Sequence, residues 1–202
     1  MLLWLIGAGH KMTDIGAELM KKVALDDQEA FKELIEHYEG MAFALLGRLL
    51  NSKEFAEDVA QEAFLRVWNN RQRYRAESKF STYFYRILYN LALNKIRDNK
   101  RKQLFQFPVD ESGEAIDLFD GKSLEPGESL NRKSWNILIS NALGGLSENQ
   151  RAALVFQHYD GLALEDIAQI MNQSVSATKS LLHRARANLR EALEPYKEQE
   201  ND

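Results

Sequence analysis

Residues 164–193 read LEDIAQIMNQSVSATKSLLHRARANLREAL. Leu164–Met171 has the spacing of a short amphipathic helix, Asn172-Gln173-Ser174 is a polar turn, and a longer helix follows to about Leu193, capped by Ser174 or Ser176. Short helix, polar turn and longer basic helix is the order of a helix-turn-helix. On the longer helix Val175, Thr178, Leu182, Leu189 and Leu193 are expected to face inward. Ser176, Ala177, Ser180, His183, Arg184 and Ala187 then face outward, flanked by Lys179 and Arg190. Small residues at the helix start let it approach a major groove closely, and basic ones reach phosphates or guanine. A plain helical hairpin in a bundle would share this periodicity, so charge has to arbitrate.

The formal net charge is −4, which alone argues against a nucleic-acid binder, but the charge is segregated. Arg66–Lys102 carries eleven Lys or Arg against two acids, Glu77 and Asp98. Leu104–Leu130 carries seven acids against one lysine. Ser174–Arg190 holds Lys179, Arg184, Arg186 and Arg190 with no acid. Solvated helix faces usually mix both signs. Two basic surfaces joined by an acidic tether instead suit a polyanion gripped at two places.

The basic stretch upstream predicts a helix from about Ser81 to Lys100, with Phe84, Ile87, Leu88, Leu91, Ala92 and Ile96 on its core face. Its far face collects Tyr83, Arg86, Asn90, Asn94, Arg97 and Arg101. Arginine holds phosphate, asparagine pairs with base edges and an exposed tyrosine stacks on an unpaired base. Tyr85 and Tyr89 lean to the core side, whereas Tyr83 is assigned to solvent. Basic residues interleaved with aromatics fit a single strand better than a duplex.

Two further helices precede this one. Asp26-Asp27 cap a stripe of Phe31, Leu34, Ile35, Tyr38, Ala42, Leu45, Leu46 and Leu49. A second stripe, starting near Lys53, joins Ala56, Val59, Ala60, Ala63, Phe64 and Val67. Opposite it lie Asp58, Glu62, Leu65 and Asn69. An exposed leucine among carboxylates suits a protein partner that presents arginine and leucine, although single exposed leucines are common.

Composition closes other routes. The chain has 202 residues, 3 prolines and no cysteine, which favours helices and excludes disulfides, thiolate metal sites and a cysteine nucleophile. No apolar run reaches the roughly 18 residues that span a bilayer, so no membrane insertion is expected. Met1–Ala8 lacks the basic start and cleavage site of a signal peptide. It reads as an apolar extension or as residues ahead of a start at Met12. No phosphate loop, dinucleotide fingerprint, zinc helix or nucleophile elbow occurs. The sequence therefore predicts no catalytic residues, no metal site and no cofactor. The acidic helix alone would permit a metal enzyme, and a stand-alone helix-turn-helix regulator of duplex operators is the main rival reading. The aromatic, basic third helix argues against that regulator.

Together, DQEAFKELIEHY, AEDVAQEAFLRVW and FSTYFYRILYNLALNKIR resemble the first conserved domain of bacterial RNA polymerase sigma factors of the small extracytoplasmic-function (ECF) type. LSENQRAALVFQHYDGLALEDIAQIMNQSVSATKSLLHRARANLR resembles their second domain. The resemblance implies an all-α fold of two small domains: an extension over 1–20, a first domain over 21–103, a flexible acidic linker over 104–130, a helix-turn-helix domain over 131–195 and a tail over 196–202. It implies that Asp58, Gln61, Glu62 and Leu65 dock on the clamp coiled coil of core polymerase, with the flap as a further contact. Arg75, Ser78, Lys79, Phe80, Tyr83, Arg86, Asn90, Asn94, Arg97 and Arg101 would hold the melted −10 strand. Ser176, Ala177, Lys179, Ser180, His183, Arg184 and Arg186 would hold the −35 duplex. It further implies an anti-sigma partner, a cytoplasmic location and a monomer when free. The sequence departs from the family where Tyr83 stands for a frequent tryptophan, Ser81 for arginine, Ser176-Ala177-Thr178 for Gly-Thr-Val and Leu181 for arginine.

Overall fold

A computed structural model describes residues 14–101 and 138–197, and the regular elements among them are helical. The helix starts follow from short polar caps. Asp14 caps α1 (Ile15–Val23), Asp27 caps α2 (Gln28–Leu50) and Ser52 caps α3 (Lys53–Asn69), each side chain accepting a backbone N–H three residues on. Asn51, at φ 50°, ends α2 in the left-handed conformation that asparagine tolerates. A single 3-10 turn, Arg71–Arg73, and a short loop lead to α4 (Phe80–Arg101). In the second half α5 is described over 138–144. Then come α6 (Glu148–His158), α7 (Leu164–Ile170) and α8 (Val175–Lys197). A full capping box starts α6, with Ser147 and Gln150 exchanging side-chain bonds to each other's backbone N–H.

The first domain is α1–α4. The α3 stripe read from periodicity, Ala56 to Val67, is buried throughout. Phe80 and Phe84 stack at 5.7 Å, and Tyr38 and Phe64 each lie about 4.9 Å from one of them. Helix α1 belongs to this core. Gly16, Leu19 and Met20 are buried, so the first domain takes in α1, ahead of residue 21. The fit at Gly16 is close: a Cβ there would lie 2.5 Å from the Tyr38 hydroxyl and 2.6 Å from the Phe80 ring.

The second domain is α5–α8. Thr178, Leu181, Leu182 and Ala185 form the inner face of α8, against α6 and α7. Two expectations fail here. Val175 is 42% exposed because it is the first residue of α8, ahead of the turn that packs. Leu193 is only half-buried, near the end of the helix. The helix continues to Lys197, beyond the 195 boundary. The stretch read as linker, 104–130, lies outside the described residues.

The two domains touch. Helix α6 packs on α2 and α7 on α4, and one apolar core runs through both. This junction is visible in no single-helix pattern.

Candidate nucleic-acid interface

The first candidate face lies on α4 and the loop before it. Arg86, Asn90, Asn94 and Arg97 are exposed, as their projection on one side predicts. Arg101 closes α4, and its side chain lies outside the described residues. Arg75 and Lys79 are exposed on the loop, and Ser78 is half-buried. Two carbonyls, those of Gln72 and Tyr74, accept from the Arg75 guanidinium at 3.3 and 3.1 Å and curl it over the loop.

Two aromatic assignments change. Phe80 is fully buried, so it backs the loop from within the core and offers no face to a strand. Tyr83 is half-buried and not free in solvent. The chain folds back after the 3-10 turn and sets Tyr74 edge-on against it at 5.2 Å, with Phe80 at 6.0 Å. Helical projection treats α4 alone and cannot see Tyr74. What results is an aromatic wall of Tyr74 and Tyr83 on a floor of Phe80. Burial pushes the Tyr74 phenol up to about 12 and raises that of Tyr83, so both stay protonated at neutral pH. The Tyr74 hydroxyl is buried without a hydrogen-bond partner among the described residues. The sequence reading missed Tyr74. Its only signal was an aromatic among three arginines.

The wall is anchored from below. Asp14 caps α1 through Oδ1, and its Oδ2 accepts the Phe80 backbone N–H at 2.6 Å. One carboxylate thus starts both α1 and α4. Its charge suits both helix N-termini.

The second candidate face is the outer side of α8. Ser176, Ala177, Lys179, Ser180, His183, Arg184 and Arg186 are all exposed. Ser174 provides the cap, its hydroxyl accepting the Ala177 N–H at 3.1 Å. Thr178 turns inward and its hydroxyl donates to the Ser174 carbonyl at 3.1 Å. Asn172, at φ 52°, closes the turn from α7. Arg186 donates to the Gln157 side-chain oxygen of α6, which ties it to the neighbouring helix. Leu181, which stands where the family often has arginine, is buried on the inner side of α8.

A third surface lies on α3. Asp58, Gln61 and Glu62 are exposed, and Leu65 is 59% exposed. Glu62 accepts from Arg66 at 2.6 Å, and Lys95 of α4 reaches Asp58 at 3.3 Å while lying over the Phe55 ring. Exposed pairs such as these contribute about 0–1 kcal/mol each. They leave Leu65 uncovered. No group of acids and histidines among the described residues could hold a metal ion, and no described helix is long and apolar enough to cross a membrane.

Comparisons with known proteins agree with this layout. The family model Sigma-70 region 2 matches residues 34–102, and Sigma-70, region 4 matches residues 137–189. The ECF RNA polymerase sigma factor SigW of Bacillus subtilis is 30% identical over 178 residues, covering 86% of this chain and 94% of that protein. The RNA polymerase sigma-H factor of Pseudomonas aeruginosa is 31% identical over 183 residues, covering 88% and 93%. Among solved structures, CnrH in complex with the cytosolic domain of CnrY superposes with a TM-score of 0.65 at 23% identity, over 90% of this chain and 99% of that one. The sigma factor RpoE in complex with the anti-sigma factor NepR from Bartonella quintana superposes with a TM-score of 0.60 at 24% identity, over 81% and 96%. These two likenesses concern the fold.

Proposed function

The chain belongs to the ECF RNA polymerase sigma factors, and from that premise we propose how its three surfaces divide the work of directing polymerase to a promoter. The α8 face enters the major groove of the −35 duplex. Its small residues allow close approach, Lys179, His183, Arg184 and Arg186 take phosphates or base edges, and register is fixed there. The α4 face and its loop hold the melted −10 strand. Arg75, Lys79, Arg86, Arg97 and Arg101 hold phosphates, while Asn90 and Asn94 meet base edges. Tyr83, with Tyr74 beside it, stacks on an extruded base. Extruding a base costs a few kcal/mol. Stacking on an aromatic returns about 1–3 kcal/mol per base, so the wall can hold a strand that polymerase has helped to open. The acidic α3 face, with Leu65 at its centre and Asp58, Gln61 and Glu62 around it, docks on the clamp coiled coil of core polymerase. The flap takes the second domain.

No step asks this subunit to make or break a covalent bond, and polymerase supplies the catalysis. The domain division 21–103 and 131–195, with the first domain extended back to Asp14, puts the strand-holding and duplex-holding faces on separate units. We place the protein in the cytoplasm, as a monomer when free, with an anti-sigma factor as its inhibitor. The observation that carries this reading is the coexistence of two exposed basic faces of different kind, one aromatic and one built on small residues.

The test is run-off transcription from a library of randomised −35/−10 promoters by core polymerase, with and without this protein. Initiation that depends on the protein and enriches a two-block motif is expected. Absence of that dependence, with tight duplex binding by the chain alone, would return it to the stand-alone regulator.

A further inference from the structure

The acidic surface of α3 is ordered by cations of its own chain. At 100° per residue, Asp58, Glu62 and Leu65 lie within about 60° of one another round the helix. The Lys95 ammonium of α4 donates to Asp58 Oδ2 at 3.3 Å. Arg66 donates through Nε and a terminal nitrogen to Glu62 Oε1, at 3.1 and 2.6 Å. Each carboxylate therefore has one oxygen held. The other, Asp58 Oδ1 or Glu62 Oε2, accepts no bond among the described residues. Both belong to side chains beside the uncovered Leu65.

The two cations are not equivalent. Arg66 lies one turn along the same helix and forms an ordinary exposed pair. Lys95 crosses from a different helix, and its side chain is only 28% exposed. Its ammonium lies 4.4 Å from the centre of the Phe55 ring. Phe55 and Asp58 are three residues apart on α3, so one ammonium serves a ring and a carboxylate on neighbouring turns. Lys95 also stands apart from the strand-holding row. It is about 100° round α4 from Asn94 and about 160° from Arg97. A pair with so exposed a carboxylate adds little to stability. Its consequence is geometric: Asp58 is ordered before any partner arrives. Side chains ordered on binding cost affinity, and one already ordered avoids that cost.

Resting on the reading that α3 docks on core polymerase, we propose that Lys95 is a positioning residue of the docking surface. Steadied by Phe55, it fixes Asp58 so that Oδ1 is presented to a cationic group of the polymerase. A count of charges gives the opposite sign. Removing Lys95 would make the surface one unit more negative and speed its encounter with a basic partner. Positioning acts after encounter, on the lifetime of the complex.

Association and dissociation of the full chain on immobilised core polymerase decide between the two. Lys95→Met keeps an aliphatic stem on Phe55 and removes the ammonium, and a circular-dichroism melt verifies folding. Its affinity should fall about three- to tenfold, through faster dissociation. Lys95→Arg should stay within about twofold of wild type, because a guanidinium can meet the same ring and carboxylate. In an Asp58→Asn background, Lys95→Met should cost less than about twofold, whereas in a Glu62→Gln background it should cost as much as in wild type. Unchanged or tighter binding by Lys95→Met, beside a loss in Asp58→Asn, would overturn the proposal. So would an undiminished Lys95→Met loss in the Asp58→Asn background, since Lys95 would then act through something other than that carboxylate. If Asp58→Asn and Leu65→Ala both bind as wild type, α3 is not the docking surface, and the proposal falls with that reading.

Discussion

The two proposed DNA faces are built on opposite plans. The α4 face leans on the core: Phe80 is its floor, Tyr74 folds back against Tyr83, and Asp14 ties the start of α4 to α1. The α8 face needs little behind it beyond Thr178, Leu181, Leu182 and Ala185, which seat the helix. A duplex is already ordered, so a helix laid on it need only match a groove and neutralise phosphates. A single strand has no fixed shape, and the protein must supply a rigid wall for it. The α4 face should therefore fail when the core beneath it is disturbed, whereas the α8 face should respond mainly to its own side chains.

The sharpest break of this symmetry is Gly16→Ala. The added methyl would meet the Tyr38 hydroxyl and the Phe80 ring and Cβ at 2.5–2.7 Å, under the wall itself. Overpacking of this kind costs about 1–3 kcal/mol. We expect a fall in the urea midpoint and weaker binding of −10 single-stranded oligonucleotide, with −35 duplex binding unchanged. Equal loss on both ligands would mean that the faces are not independent.

Next in size is a pH effect at the domain junction. Burial of Asp160 raises its carboxyl to about 6 in the folded chain, against 3.8 ordinarily, while Arg48 and a Tyr85 hydrogen bond pull it back down. Its Oδ2 is buried without a partner among the described residues, as an uncharged carboxyl tolerates better than a carboxylate. Between these two values the folded state holds a proton that the unfolded state has released. Protonation thus stabilises the fold fully below about pH 4, and that gain is lost as pH rises through 6. After discounting for partial solvent access it is worth about 1–2 kcal/mol. Asp160→Asn should be more stable than wild type at pH 7, and its urea midpoint should change less between pH 5 and 7. Parallel curves for the two proteins would sink the assignment.

Much of this architecture was legible in residue spacing. The six apolar positions of α3 are all buried, Leu65 is exposed, and Arg86, Asn90, Asn94 and Arg97 share one open side. These features depend on one helix at a time, and a period of 3.6 carries them. Tyr83, Phe80 and Val175 were misplaced because their surroundings come from other segments or from helix ends. Tyr74 reaches Tyr83 only through the fold-back after Arg73. Phe80 opens α4, where no preceding turn shows which way it points. The junction was the least legible, because Arg151 works by reaching backbone carbonyls of two domains, and backbone acceptors leave no trace in a pattern of side chains.

On the α8 face the expected effect on the fold is small and the effect on binding specific. Lys179 is exposed on the outer side of α8, so Lys179→Ala should leave stability within about 0.5 kcal/mol. If it neutralises a phosphate, the slope of log affinity against log salt for −35 duplex should drop by about one, uniformly across sequences. A sequence-dependent loss would make Lys179 a base reader. An unchanged slope would remove it from the interface. Asn90→Ala on α4 is the matched control, with no effect on that duplex.

Leu65 should matter least to the fold and most to the partner. It is 59% exposed on α3, opposite the buried row Ala56 to Val67, and no neighbouring helix covers it. Leu65→Ala truncates a mostly exposed side chain, and its urea midpoint should match wild type to within about 0.5 kcal/mol. A leucine at the centre of a docking surface is desolvated only when the partner arrives, and truncating such an anchor typically costs about 1–2 kcal/mol of binding. Affinity for core polymerase should accordingly fall about tenfold. Leu65→Asp should weaken it further, because a fifth carboxylate would join Glu54, Glu57, Asp58 and Glu62 on α3. Duplex binding by α8 should stay constant in both variants. If polymerase affinity is unchanged in Leu65→Ala, the carboxylates alone carry the docking, and Glu62→Gln becomes the substitution that must show the loss.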